Sequence, residues 1–375
     1  MIGMVWLIFT VGAQSKFLYR GGMVLFSLFT VLIMWAILSN IGKWNWLMTN
    51  PIFDWIGSRS YEIYVYQLPV FIFFEDKFKN VADHQLLYAV VEILLIVGIS
   101  ELSYRFVEVP FGKYDYKQLF SELYRFMSHT RIREIILGVL AIIGGVGILQ
   151  STTVNPKQAN HTELANRIQK NAKTEKENNK NLAKDIKSGK KVKSSNKDQS
   201  QLEKNGLTAA QVKEAQNLSG TAVGDSVMLA GHDDLQKIFP RFYIDAQVSR
   251  QPAAAVPDIK SLANQGLLGK NVVIGLGTNG NISPETMKQI MDIAGPKRNV
   301  FWINVHIPTE TWQNSVNAML KDSQKKYKNL YIIDWNDYIN QHPSWLYSDQ
   351  AHPNNQGAPK YATFVAQNVL KHAIK

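Results

Sequence analysis

Thr221-Ala222-Val223-Gly224-Asp225-Ser226-Val227-Met228 is an apolar run that stops at a glycine and restarts at a serine. It reads as a short buried strand that turns at Gly224 and enters a helix near Ser226. A serine at that point lies where the first backbone N–H groups of a helix lack intrahelical partners. The positive end of the helix dipole there favours a developing oxyanion. Taken alone, Asp225 and Ser226 read first as an ordinary helix start, since both residue types cap N-termini. Segments further along, at Asn279, Asp349 and His352, turn the balance toward chemistry.

From Leu218 onward, strands alternate with helices. Thr221–Val223, Phe242–Asp245, Asn271–Gly275, Val300–Val305 and Leu330–Asp334 read as strands. Helices are expected near Val227–Ile238, Ile259–Gln265, Pro284–Ala294, Glu310–Tyr327 and Asn354–Ala373. Strands apolar on both faces and joined by helices imply a parallel sheet covered on both sides, a three-layer α/β domain over residues 219–375. Ligands of such folds sit beyond the carboxyl ends of the strands. Gly224-Asp225-Ser226 follows the first strand, Asp245 to Arg250 the second, and Gly277-Thr278-Asn279-Gly280 the third. Asp349-Gln350-Ala351-His352-Pro353 precedes the last helix.

That order resembles the SGNH hydrolase (GDSL) superfamily over the whole stretch from about Ser219 to the C-terminus. The chemistry gives each residue a task. Ser226 Oγ is a poor nucleophile until a base removes its proton, and His352 is the residue type suited to that. Asp349 can hold the imidazole in the right tautomer and stabilise the imidazolium. The oxyanion hole would comprise the Ser226 N–H, the Asn279 amide and a backbone N–H after the second strand. The position aligned with the superfamily's usual glycine for that last donor is Ser249. Taken singly, Asn279 between glycines is a turn signal, and Asp349 could cap the final helix.

His232, His306 and His342 have no partner at metal-ligand spacing, so they read as surface or loop residues, and no metal or bound cofactor is expected. His306 follows a strand end near the proposed site. The segment Trp302-Ile303-Asn304-Val305-His306-Ile307-Pro308 through Trp312 resembles one found in extracellular domains fused to acyltransferase-3 proteins. Trp312 either stacks on a sugar in a substrate groove shared with His306, or packs against the domain.

The first 150 residues differ in kind. Met1–Val11, Met23–Leu38, Ile63–Phe74, Leu86–Ser100 and Ile135–Leu149 are cores of about five apolar spans, a multi-pass α-helical membrane region. The alternative is a buried helical bundle of a soluble protein. Met1–Val11 lacks a signal peptide's basic start and cleavage site, and reads as a truncated membrane helix. Lys113, Lys117, Arg125, Arg131 and Arg133 place the loop Phe111–Arg133 in the cytoplasm, so the last span carries the chain outward. Ile56–Pro69 and Ser103–Phe111 resemble the last segments of acyltransferase-3 membrane proteins, with Gln67 where many members have histidine. The resemblance covers only the C-terminal part of that domain, and a partner protein could supply the earlier helices. Arg105 and Glu108 are either a helix-end ion pair or part of a functional site.

Residues 151–218 are rich in Lys, Asn and Gln and read as a basic, flexible linker, with transient helix in parts such as Thr162–Lys173. The formal net charge of +11 falls largely in this linker and in membrane-flanking loops, which argues against nucleic acid as a partner. The chain has no cysteine, so neither disulfides nor thiolate metal sites arise.

Together the parts are similar to the peptidoglycan O-acetyltransferases of Gram-positive bacteria. That resemblance implies a multi-pass protein of the cell membrane with its C-terminal domain extracellular. Acetyl from cytoplasmic acetyl-CoA would pass outward to Ser226 and on to a cell-wall sugar hydroxyl, the C6 hydroxyl of muramic acid in peptidoglycan. The alternatives are an extracellular carbohydrate O-acetylesterase, or an incomplete chain that needs a partner for its missing helices.

Overall fold

The protein is described by a computed structural model, which covers residue 7 and residues 17–39, 50–109, 112, 138–139, 141–146, 149, 163–188 and 199–375. The expected span Met1–Val11 and the basic loop Phe111–Arg133 lie outside the described residues apart from Leu7 and Gly112, and Ile135–Leu149 lies partly outside them. The chain divides into two compact units, residues 1–74 with 89–140 and residues 75–88 with 141–375.

Helices in the N-terminal region are α1 (Met23–Leu38), α2 (Pro51–Ser58), α3 (Ser60–Lys77) and α4 (Gln85–Ser103). Asn50 caps α2 by accepting from the N–H groups of Ile52 and Phe53, and Pro51 opens the helix where a missing N–H costs nothing. Among the described residues two helices are long and apolar enough to cross a membrane, Arg20–Leu38 and Gln85–Glu108, where about five spans were expected. Ile63–Phe74 falls in α3, whose apolar run is interrupted by Pro69 and ends in Glu75, Asp76 and Lys77. Leu28, Val31 and Trp35 on α1 and Leu86, Ile93 and Leu94 on α4 are exposed, unlike the inward face of a soluble core helix. Arg105 pairs with Glu101 one turn earlier rather than with Glu108, and Glu101 also takes Arg59. The Arg59 guanidinium lies over the rings of Trp55 and Tyr104.

The second unit is built on a parallel sheet. Its helices begin with α5 (Glu163–Ser188), α6 (Gln199–Lys204) and α7 (Ala209–Asn217). There follow β1 (Gly220–Gly224), α8 (Ser226–Ala230), α9 (His232–Ile238), β2 (Phe242–Ala246), α10 (Pro252–Asn264) and β3 (Asn271–Gly275). The chain ends with α11 (Pro284–Ala294), β4 (Asn299–Ile303), α12 (Gln313–Lys326), β5 (Leu330–Ile333), α13 (Trp335–Asn340) and α14 (Gly357–His372). Among the described residues the strands form one sheet in the order β2-β1-β3-β4-β5, and every pairing is parallel.

Alternate side chains of the central strands β1, β3 and β4 enter opposite cores and are buried almost along their length, whereas the edge strand β2 buries Phe242, Ile244 and Ala246 and leaves Tyr243 and Asp245 half-exposed. Ala222, Ile244, Val273, Phe301 and Ile333 pack with α7, α8, α9 and α14 on one face. Val223, Ile274, Val300, Trp302 and Leu330 pack with α10, α11 and α12 on the other. The domain is therefore three-layered.

The stretch expected to be a flexible linker contains α5, α6 and α7. Helix α5 lays Asn171, Glu175 and Asn179 against the domain, each buried, and α6 and α7 send Leu202 and Val212 into the first core. Polar composition suggested a solvated tether. These side chains are polar because they bond the edge strand β2 and the helix α9: Asn179 Nδ2 donates to Ile244 O at 2.6 Å, and Arg167 pairs with Asp234 at 2.9 Å. Such bonds add to the small apolar area that Ile168, Ala172 and Leu182 of α5 cover.

Candidate active site

Strand order places the site. In a sheet ordered 2-1-3-4-5, successive connections leave β1 and β3 in opposite directions, opening a crevice at their carboxyl ends. Ser226 follows β1 and Asn279 follows β3. Asp225 N donates to Gly275 O at 3.0 Å, which ties the two strand ends together. A Cβ at Gly224 would lie 2.5 Å from Met228, so only glycine lets α8 start this close to the strand.

Asp225 is the N-cap of α8, and its Oδ1 accepts from Val227 N at 3.0 Å. Burial pushes the Asp225 carboxyl up to about 6, against the pull of the Val227 N–H, Thr278 and His352. Ser226 opens the helix, so its N–H has no intrahelical acceptor.

The loop before α14 brings the other two groups. Asp349 Oδ1 accepts from the N–H groups of Ala351 and His352, both at 3.0 Å, folding the segment back on itself. Its Oδ2 lies 2.8 Å from His352 Nδ1. His352 Nε2 lies 2.8 Å from Ser226 Oγ. With Nδ1–H donated to the carboxylate, Nε2 is the lone-pair nitrogen and accepts the serine hydroxyl. Burial raises Asp349, but hydrogen bonds from the His352 ring and the Ala351 N–H outweigh it, so the carboxyl sits below its ordinary range. Gln350, between them, takes φ of 56° to make the turn.

Gly277 and Gly280 flank Thr278 and Asn279 with φ of 126° and 137°, a turn that needs glycine at both ends. Asn279 Nδ2 is buried with no hydrogen-bond partner, an unspent donor on the loop after β3. Ser249, after β2, has φ of 57°, the left-handed region that glycine enters freely. That conformation gives the physical reason a glycine suits this place.

His306 and Trp312 part company. His306 is buried, its Nδ1 is 2.9 Å from Asn336 Oδ1, and burial holds its pKa below the usual value. It lines both a small cavity of about 10 Å³ beside Asp225 and Thr278 and a broader groove of about 610 Å³. Trp312 lines neither. Its indole N–H donates to Thr278 O at 3.2 Å and its ring packs on the second core, so it props the Asn279 turn. His232, expected at the surface, is fully buried with Nδ1 3.1 Å from Asp233. His342 stacks on Trp345 at 4.0 Å.

Two contributors escaped the sequence reading. Arg250 is buried at the end of the β2 loop, where it donates to Gly224 O at 3.1 Å and to Asp245 O at 2.7 Å, and pairs with Asp245 and Asp258. It thereby binds the end of β1 to the Ser249 loop. Glu175 on α5 accepts from Ala246 N, and burial together with the nearby Asp245 charge pushes it up to about 8. An arginine on the loop after a strand that ends near Asp245 is the available signal for the first. Nothing local marked the second, because its partner is distant in sequence.

The described residues thus make an α/β domain with a serine, a histidine and an aspartate in one hydrogen-bonded chain at the sheet's switch point. No protein-family model matches the chain. It is similar to YrhL of Bacillus subtilis (strain 168), provisionally named a peptidoglycan O-acetyltransferase, at 26% identity over 94% of this chain and 58% of that one. It is similar to O-acetyltransferase OatA of Staphylococcus aureus (strain MRSA252) at 26% identity over 98% of this chain and 57% of that one. The chain therefore spans a little over half the length of these curated relatives. Among solved structures, the C-terminal catalytic domain of Streptococcus pneumoniae peptidoglycan O-acetyltransferase A, carrying a methylsulfonyl adduct, aligns at 23% identity with a TM-score of 0.37. That alignment covers 41% of this chain and 92% of that one.

Proposed function

We propose that the chain is an O-acetyltransferase that passes acetyl through Ser226 to a hydroxyl of a cell-wall glycan. The observation that carries this reading is the chain of 2.8 Å contacts from Asp349 through His352 to Ser226. The relatives named as O-acetyltransferases, matched over 94% and 98% of the present sequence, support it.

Ser226 Oγ attacks the acetyl carbonyl while His352 Nε2 takes its proton. The negative charge that develops on the carbonyl oxygen is met by the Ser226 N–H, the Asn279 amide and the backbone after β2 near Ser249. His352 returns the proton to the leaving group, and acetyl-Ser226 remains. An acceptor hydroxyl then gives its proton to His352 and attacks the acetyl ester, and Ser226 Oγ recovers the proton as it departs. Asp349 keeps Nδ1 protonated throughout and stabilises the imidazolium at each step. Water competes with the sugar for the intermediate, and occupation of the acceptor place by glycan decides between transfer and hydrolysis.

The acetyl comes from acetyl-CoA on the cytoplasmic side, and the acceptor is the muramic acid C6 hydroxyl of peptidoglycan. The domain works outside the cell. Supporting that placement, Ala82 N donates to Pro308 O at 2.9 Å and Asn314 Nδ2 to Ala82 O at 2.8 Å. The segment that leads into α4 therefore lies on the same side as the domain.

The test uses the full chain in membranes with an activated acetyl ester and cell-wall oligosaccharide. Acetylated oligosaccharide, lost in Ser226→Ala, is the expected result. Acetate release with no sugar acetylation at any acceptor concentration would make the protein an esterase. Activity that survives Ser226→Ala would remove the serine from its role.

A further inference from the structure

The groove of about 610 Å³ is not accounted for by the chemistry at Ser226. Its volume lies within the roughly 300–1,000 Å³ typical of small-molecule sites. One wall is the loop before α14, with Tyr347, Ser348 and Gln350, the residue next to Asp349. A second is formed by His306 and Pro308, and His306 also borders the cavity beside Asp225. The opposite wall comes from far away in sequence: Asn80 and Asp83, in the segment between α3 and α4.

That segment is fastened to the domain. Val81 and Ala82 are buried, Ala82 bonds Pro308 and Asn314 through both its backbone groups, and Gln85 Nε2 donates to Thr311 O at 2.6 Å. Asn80 is held in turn by the Tyr88 hydroxyl at 2.9 Å. The lining combines amide, hydroxyl and imidazole groups and the charged Lys79 and Asp83 with Pro308, Ile339, Pro343 and Leu346. Polar groups beside small apolar faces match a pyranose, whose hydroxyls ring an apolar C–H face. The Tyr347 hydroxyl is buried and without a hydrogen-bond partner, a polar atom whose cost a ligand hydroxyl or amide would offset.

We propose that this groove is the acceptor subsite, that it takes a short chain of pyranose sugars, and that the segment Asn80–Asp83 is one of its walls. The inference rests on the glycan acceptor proposed above. It adds that residues between α3 and α4 help to choose that acceptor. A domain cut away from them would lose part of its specificity.

The full chain in detergent is compared with Ser348→Trp, which fills the groove, and with Asn314→Ala combined with Gln85→Ala, which releases the segment. The probe is a cell-wall tetrasaccharide, p-nitrophenyl acetate is the donor, and active enzyme is counted by its p-nitrophenol burst. Both variants should raise the KM for the tetrasaccharide by about tenfold or more, as loss of a central contact does. A KM unchanged by Ser348→Trp would overturn the subsite, and one unchanged by the double variant would overturn the segment's share. Calorimetric titration of the tetrasaccharide separates the two proposals. If the unaltered chain gives no burst but binds the sugar, and Ser348→Trp weakens that binding, the enzyme assignment fails and the subsite stands. Absence of binding, or equal binding by both chains, overturns the subsite.

Discussion

Asn171 Nδ2 donates to the carbonyls of Leu229, at 2.8 Å, and Ala230, at 3.1 Å, closing the last turn of the helix that begins at Ser226. Arg167 Nε reaches the same Ala230 carbonyl at 2.7 Å. A five-residue helix cannot hold its own geometry, because nucleation costs more than so few hydrogen bonds return. Its serine is positioned by α5.

Asn171→Ala should therefore destabilise the domain by about 1–3 kcal/mol, the cost of taking the side-chain donor from the buried Leu229 carbonyl while Arg167 still holds Ala230. Denaturant unfolding of the full chain checks this, and the ester burst should slow in the same variant. An unchanged midpoint would mean that α5 merely rests on the domain.

Removal of the members of the hydrogen-bonded chain should be strongly non-additive. Ser226→Ala and His352→Ala each abolish the burst, and Asp349→Asn lowers its rate by about 10³- to 10⁴-fold by allowing the wrong imidazole tautomer. The double variant of Ser226 and His352 should be no slower than either alone. Additive losses would show that the two side chains act separately.

Asn279→Ala withdraws a donor that has no other work, so fold stability should hold while the acetylation rate falls about 100- to 1000-fold. A rate loss below about threefold would take Asn279 out of the oxyanion hole. At Ser249, glycine should keep activity and add about 1 kcal/mol of stability, because it relieves the left-handed backbone. Ser249→Val should do the reverse. Thermal melts alongside burst rates test both.

Glu175 predicts a pH dependence. In the unfolded chain its carboxyl ionises near 4.5, and in the folded chain near 8. A carboxyl raised by folding costs nothing below its unfolded pKa, and it takes stability away as pH climbs toward the folded value. Glu175→Gln keeps an acceptor for Ala246 N and removes the titration. The melting temperature of Glu175→Gln minus that of the parent should grow between about pH 5 and about pH 8.5. A difference that stays flat across this range would place the ionised carboxylate in the folded protein already at neutral pH.

The central strands are legible because both faces are apolar, and the edge strand β2 because Phe242, Ile244 and Ala246 alternate with Tyr243 and Asp245. Asn271–Gly275 was placed at its observed limits, and the other strand ranges fell within two residues of theirs at either end. The segments that meet at Ser226 could be named in advance because each follows a strand end or opens the last helix. Trp335–Asn340 was missed because it is only six residues long and follows its strand without a break. The expected Val227–Ile238 proved to be two helices. Gly231 lies against Tyr361, where a Cβ would come within 2.8 Å, so the chain changes direction there. Helix α5 was illegible for a different reason. Hydrophobic periodicity reports apolar burial, and α5 offers only a few apolar contacts, such as Ile168 and Ala172, beside amide and guanidinium groups whose partners lie more than fifty residues away. The groove wall at Asn80–Asp83 was hidden by the same kind of distance.

Leu202, Leu207, Val212 and Leu218 fill the first core ahead of β1. A fragment excised at residue 219 would take these four side chains out of that core and expose apolar surface they cover. It would also part the serine's helix from its clamp. Anyone wishing to crystallise the domain, or to assay it free of lipid, should start the coding sequence ahead of Glu163.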